Sequence, residues 1–325
     1  MLHTSDLRKQ AQCRLGELSG NPKKLVLIHT AIALGSSLLL TVLTYLSSLM
    51  IADTGGLDGL GTRSVLTTAQ SVLEILILIG LPIWQRGIYY AALQWINGEK
   101  PGFASLLQGF RRFGAVLRFL FLQVGSLIIL GIAVFNLSSV IFTLTPFAEP
   151  FLELYKPFMA PDITPEQIQD LMTAEFIASA MDKMIPLLII FCILYLIVLI
   201  PLFYRIRFAD FAFMDGLPGG RSLLKSFSIT KKTFWQVLKL DLSFWWFYLL
   251  QLLSVAICYA DTILAALGVS LPVSPAVAAF GFYILGIACQ GLLLWQFEAK
   301  RITVYALAYR TLDGSPESIE GDVEA

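Results

Sequence analysis

The chain has 325 residues, of which 57 % are hydrophobic and 14 % charged, and its 23 basic side chains balance 23 acidic ones. Soluble domains run to roughly 45–50 % apolar and about 25 % charged residues, so this composition excludes a soluble globular domain and an intrinsically disordered chain. A nucleic-acid partner is not expected, because the basic residues are split among four short, membrane-tethered segments.

Crossing a hydrocarbon layer takes about 20 mostly apolar residues. The first 24 residues are polar and basic, and they read as a cytoplasmic amphipathic segment with no cleavable leader behind it. Runs 25–51, 119–148, 184–204, 242–260 and 262–297 contain no Asp, Glu, Lys or Arg, and 65–85 contains one, Glu74. The fold class expected is all-α and polytopic, with six transmembrane helices at about 25–51, 65–96, 117–142, 184–213, 237–261 and 274–309. An outer acidic loop covers 142–183, where Thr164-Pro165-Glu166-Gln167 reads as a helix start with proline at its first position. Residues 311–325 read as a disordered acidic tail.

Charge placement sets the orientation. With both termini inside, twenty Lys and Arg fall on inner segments and only Arg63, Lys156 and Lys183 on outer ones, as expected for a cell (plasma) membrane protein with cytoplasmic N- and C-termini. The four cysteines have no metal-ligand spacing and read as buried hydrophobes. No cofactor or metal site is expected. Asp241 and Asp261 bracket the fifth span and read as interfacial. Trp84, Trp95, Trp235, Trp245, Trp246, Tyr305 and Tyr309 suit an interfacial aromatic belt.

An internal repeat organises the inner segments. Pro101-Gly-Phe-Ala-Ser-Leu-Leu-Gln-Gly-Phe110 recurs as Pro218-Gly-Gly-Arg-Ser-Leu-Leu-Lys-Ser-Phe227, six letters of ten being identical. Pro101, Gly102, Pro218 and Gly219 form a repeat hinge in this reading. Three arginines, Arg86, Arg205 and Arg301, each precede an aromatic stretch that ends in Asn97-Gly98, Asp215-Gly216 or Asp313-Gly314, dipeptides that accept positive φ. Three parallel hairpins of one plan, or reuse of Pro, Gly and Leu at helix ends, account for the letters.

Glu74 is the candidate intramembrane functional residue. A charge at mid-membrane costs ~2.5–3.5 kcal/mol on insertion scales, so it either carries a proton or cation step, bonds as a neutral acid to Asn136, Gln251 or Gln290, or sits at the outer interface. Arg86, Arg111, Arg112, Arg205, Arg207, Lys231, Lys232 and Arg301 are candidate contacts for anionic lipid headgroups, at about 1 kcal/mol each. Gly56-Leu-Asp-Gly-Leu-Gly61 is not a dinucleotide fingerprint, and the zinc-protease, nucleophile-elbow and P-loop signatures are missing.

Residues 223–250 resemble the bacterial integral membrane proteins of domain-of-unknown-function family 975, through Ser226, Lys231, Trp235 and Leu240-Asp241-Leu242-Ser243-Phe244. Leu7-Arg8-Lys9-Gln10-Ala11 with Gly20-Asn21 resembles that family's amino terminus, while Lys232 and Trp245-Trp246 depart from its pattern. The resemblance implies a multi-pass inner-membrane protein without an established activity. The leading expectation is an accessory or scaffold protein acting through lipid or membrane-protein contacts, not an enzyme and without nucleic acid. A small transporter or channel using Glu74 is the alternative, and a lipid-modifying membrane enzyme the third.

Overall fold

Long uninterrupted apolar stretches leave the backbone no partner but itself, and helices result. A computed structural model of the chain describes residues 4–53, 59–159, 173–269 and 273–314, and all regular structure among these residues is helical. Helix α1 (Thr4–Glu17) buries Leu7 and Ala11, and the turn at Ser19 and Gly20, both at positive φ, leads into α2 (Asn21–Asp53). Helix α3 (Gly59–Ile96) carries Pro82 in its interior. The Arg86 guanidinium donates to the Pro82 carbonyl at 2.7 Å.

The two copies of the Pro-Gly motif fold differently. The first forms two four-residue helices, α4 (Phe103–Leu106) and α5 (Gln108–Arg111), ahead of α6 (Phe113–Thr143). These fragments lie on α3 through paired glycines. A Cβ on Gly87 would stand 2.0 Å from the Leu106 carbonyl oxygen, and one on Gly109 would stand 2.1 Å from that of Ile83. The second copy opens one continuous helix, α10 (Gly219–Leu242).

Between them, α7 (Ala148–Tyr155) and a 3₁₀ turn at Lys156–Met159 precede α8 (Ala174–Arg205). The helix expected at 184–213 is interrupted after Arg205. The chain resumes as α9 (Ala209–Met214), whose residues other than Asp210 are all buried. The break is held by Ser226, whose Oγ accepts the Phe208 backbone N–H at 3.1 Å.

The expected straight helix 237–261 is also corrected. Helix α10 runs to Leu242, and α11 (Trp245–Cys258) departs from it at a bend of 58°. A further break at Tyr259 leads to α12 (Ala260–Ala266). Helix α13 (Pro275–Asp313) starts with proline at its first position and stops at Gly314, φ 66°, as left-handed caps do. Of the tail expected at 311–325, residues 311–313 instead complete α13, and its remainder from 315, like the expected helix start at Thr164, lies outside the described residues.

By length and composition, five helical segments can cross a membrane: Asn21–Thr44, Thr67–Ile96, Phe113–Thr143, Phe176–Met214 and Val277–Asp313. The bent pair α10–α11 adds a sixth only if it is a single span.

Contacts divide the chain into two units. Met1–Leu120 with Ile206–Ala325 form one, in which α2, α3 and α13 pack together, α11 packs on α13, and α9 packs on α3 and α10. Its core is aromatic and fully buried at Trp95, Phe119, Phe208, Phe213, Phe247 and Tyr309. Thus Trp84, Trp95, Tyr305 and Tyr309 are core residues rather than members of an interfacial belt, whereas Trp235 and Trp245 are exposed. The second unit, Phe121–Arg205, gathers Phe142, Ala148 and Leu187 with Phe151 and Ile190. Cys13 and Cys192 are exposed and Cys258 and Cys289 partly so, which corrects their reading as buried hydrophobes.

Candidate functional site

The basic segments contain few acids, and three of those acids, Asp210, Asp241 and Glu298, lie buried or half-buried against arginines. Among the described residues, four guanidinium–carboxylate pairs form within the first unit, and three of them share a cluster. Arg86 of α3 meets Asp210 of α9 at 2.9 Å, Arg207 before α9 meets Asp241 of α10 at 3.1 Å, and Arg301 of α13 meets Glu298 at 2.6 Å. Arg301 reaches Glu298 with both Nε and Nη2, the fork geometry that only arginine offers.

Tyrosines connect the pairs. The Tyr248 hydroxyl donates to Asp241 at 3.0 Å and lies 3.4 Å from the Tyr305 hydroxyl. Tyr89 is within electrostatic reach of Asp210, Arg301, Arg207 and Glu298. Rings cover the cations: Arg207 lies 4.3 Å from the Tyr305 centroid, Arg86 5.2 Å from Phe119, and Arg301 5.4 Å from Phe247. Cation–π contacts of this kind strengthen when desolvated, to about 2 kcal/mol.

A second tier surrounds this cluster. Arg8 of α1 lies over Phe244 and donates to the Ser243 carbonyl, at the α10–α11 bend. Burial lowers its guanidinium from the usual arginine range. Arg310 takes both oxygens of Asp215, at 2.7 and 3.0 Å, and Tyr309 donates to the same carboxylate. Lys225 pairs with Asp313. Glycines 98, 216 and 314, which close the Asn-Gly and Asp-Gly dipeptides, all adopt positive φ.

The candidate residues thus separate into distinct settings. Arg86, Arg207 and Arg301, expected at lipid headgroups, have carboxylate partners inside the fold instead. Arg112 donates to the Phe213 carbonyl at 3.2 Å. Arg205 ends α8, half-buried, and Arg111, Lys231 and Lys232 are exposed. Pro101 is buried and its carbonyl accepts from Asn21 at 3.1 Å. Gly102 and Pro218 occupy extended positions that start α4 and α10, and Gly219 lies against Phe119. Asp241 is buried in an ion pair rather than placed at an interface.

Glu74 is exposed on α3 and stands apart from the cluster. Its carboxylate accepts from Gln70 at 3.0 Å, and Gln70 also donates to Thr44 of α2 at 3.0 Å. The anticipated partner Asn136 donates instead to Ile132 of its own helix.

The acids Asp210 and Glu298 were not among the sequence candidates, and the tyrosines Tyr89, Tyr248 and Tyr305 read from the sequence only as members of an interfacial aromatic belt. Glu298, three residues before Arg301, had a legible signal as a helical pair. Asp210 is one of few acids in its basic segment. The remaining partners depend on tertiary contacts.

This arrangement works as a clamp. Arg86, Arg207, Arg301 and Arg310 each have a carboxylate, Arg8 has a backbone carbonyl, and the phenols of Tyr248 and Tyr309 tie Asp241 and Asp215 to another element. An intact buried pair contributes little net stability, but removing one partner costs about 3–5 kcal/mol because the other charge is left buried. Among the described residues, no group of three or more His, Cys, Asp or Glu side chains is placed to hold a metal ion. No protein-family model, curated protein or solved structure matches the chain.

Proposed function

We propose that this chain is an accessory or scaffold protein of the bacterial plasma membrane that acts through lipid or protein contacts at its basic end. The observation that carries this reading is the division among the basic side chains. Arg86, Arg207 and Arg301 are spent on internal carboxylates and rigidify the fold, whereas Arg111, Lys231 and Lys232 stay exposed for an external partner.

The twenty-to-three distribution of Lys and Arg supports cytoplasmic termini. A plan of three related hairpins is supported by the positive φ at Gly98, Gly216 and Gly314. Membership of family 975 is supported by the way its two matched stretches meet, Arg8 reaching Ser243 and Phe244.

The test is extraction in lipid-preserving polymer discs, followed by mass spectrometry of the lipids and proteins that accompany the chain. Anionic phospholipid or a protein subunit should co-purify, and R111Q/K231Q/K232Q should reduce it. Solute or ion flux in reconstituted vesicles that E74Q abolishes would overturn the scaffold reading in favour of transport.

A further inference from the structure

Helix α10 exposes a face that its own chain leaves uncovered. Its buried side is made of Ser222, Ser226, Ile229, Thr230, Val237, Leu240 and Asp241, and α9 packs against this helix. The opposite side carries Arg221, Leu224, Lys231, Lys232, Trp235, Lys239 and Leu242, all exposed. Leu224 is 71 % and Trp235 69 % exposed. The one acid of the helix, Asp241, is turned inward to Arg207, so this outer face has four cations, large apolar side chains and no acid.

Such a face suits neither water nor hydrocarbon alone. Exposure to water would leave Leu224, Trp235 and Leu242 hydrated. Crossing the bilayer as one span with α11 would drag Lys231, Lys232 and Lys239 into the hydrocarbon. The boundary between anionic headgroups and acyl chains accommodates both at once: apolar residues enter the acyl region, and lysines extend to the phosphates. The geometry permits this, because the 58° bend at Ser243–Phe244 takes α10 well away from the axis of α11. Helices α11 and α12 hold 14 and 7 residues on either side of the break at Tyr259, a summed helical length of about 32 Å at ~1.5 Å per residue, so apolar length for a crossing is present without α10.

We infer that α10 is an in-plane helix that binds the anionic phospholipid surface, with Trp235 and Leu224 inserted and Lys231, Lys232 and Lys239 reading the headgroup charge. This inference rests on the reading of the basic end as a contact surface and names its ligand as anionic phospholipid.

The experiment uses the full chain in nanodiscs of phosphatidylcholine and phosphatidylglycerol, with only the phosphatidylglycerol acyl chains brominated. The difference in fluorescence between wild type and W235F isolates Trp235 from the other tryptophans. Trp235 should be quenched, and K231Q/K232Q should reduce that quenching as local phosphatidylglycerol enrichment falls about five-fold per lysine. K23Q/K24Q, on α2, should leave it unchanged. Both altered sites on α10 are exposed, and unaltered emission from the other tryptophans reports that the fold is intact. Absence of any Trp235 quenching, or quenching that K231Q/K232Q does not change, overturns the inference. If a protein subunit still co-purifies in that case, the scaffold reading stands. Flux dependent on Glu74 with Trp235 quenching intact would overturn the scaffold reading and leave the inference standing.

Discussion

Substituting Gly87→Ala tests the tightest contact in the fold. The new Cβ would begin 2.0 Å from the Leu106 carbonyl oxygen, and ordinary contact begins at 3.4 Å, so α3 and α4 must part by 1.4 Å. The obstacle is backbone on both sides, with the carbonyl carbon of Leu106 at 2.5 Å and its Cα at 2.6 Å, and no rotamer change relieves it. Leu106 is fully buried, so lifting it also opens a gap beneath its side chain. Overpacking costs about 1–3 kcal/mol where side chains can adjust, and this site belongs at or above the upper end, near 3 kcal/mol. The assay is unfolding in mixed micelles of dodecylmaltoside and SDS, followed by near-ultraviolet circular dichroism. Gly80→Ala is the control on the same helix, where a Cβ meets nothing within 4 Å. It should be neutral or stabilising by up to about 1 kcal/mol, since alanine favours the helix interior. If G87A unfolds within about 0.5 kcal/mol of wild type, the close approach of α3 and α4 is not real and the account of the Pro-Gly hinge fails.

The same assay reads the clamp. Asp241→Asn leaves Arg207 without its carboxylate and should cost about 3–5 kcal/mol, with part of that loss recovered in D241N/R207Q. Tyr248→Phe removes one hydrogen bond to a charged acceptor and should cost about 1.5–3 kcal/mol. Gly216→Ala forces an L-residue into φ 112° and should cost at least about 1–2 kcal/mol. Glu74→Gln alters an exposed group and should shift stability by no more than about 0.5 kcal/mol. A larger destabilisation would show that Glu74 is structurally engaged.

The long helices were legible because crossing a membrane demands apolar length, and that demand writes itself as charge-free runs. The positive φ at Gly98, Gly216 and Gly314 was legible for a similar reason: the turn chemistry of Asn-Gly and Asp-Gly is local. The break at Ile206–Phe208 was not, because nothing local requires it. It depends on Ser226, eighteen residues away, accepting the freed N–H. The motif copies share letters yet differ in shape, since the first is shaped by Gly87 and Gly109 packing on α3, a contact the letters do not carry. The arginines misled in one respect. Whether a guanidinium faces a lipid phosphate or Asp210 is not written in its number or spacing and depends on which acid the fold brings within about 3 Å.

The partners in the clamp are also separated in time. Arg86 and Asp210 stand 124 positions apart, and at ~5–20 residues per second the ribosome takes roughly 6–25 s to supply the second after the first. Arg8 waits longer for Ser243, 235 positions downstream. The Glu298–Arg301 pair, three residues apart on one helix, emerges already neutralised. Helices α2 and α3 are therefore made while Arg86 still lacks the carboxylate that α9 supplies. The long-range pairs of the cluster thus close only after α9 and α10 have been made.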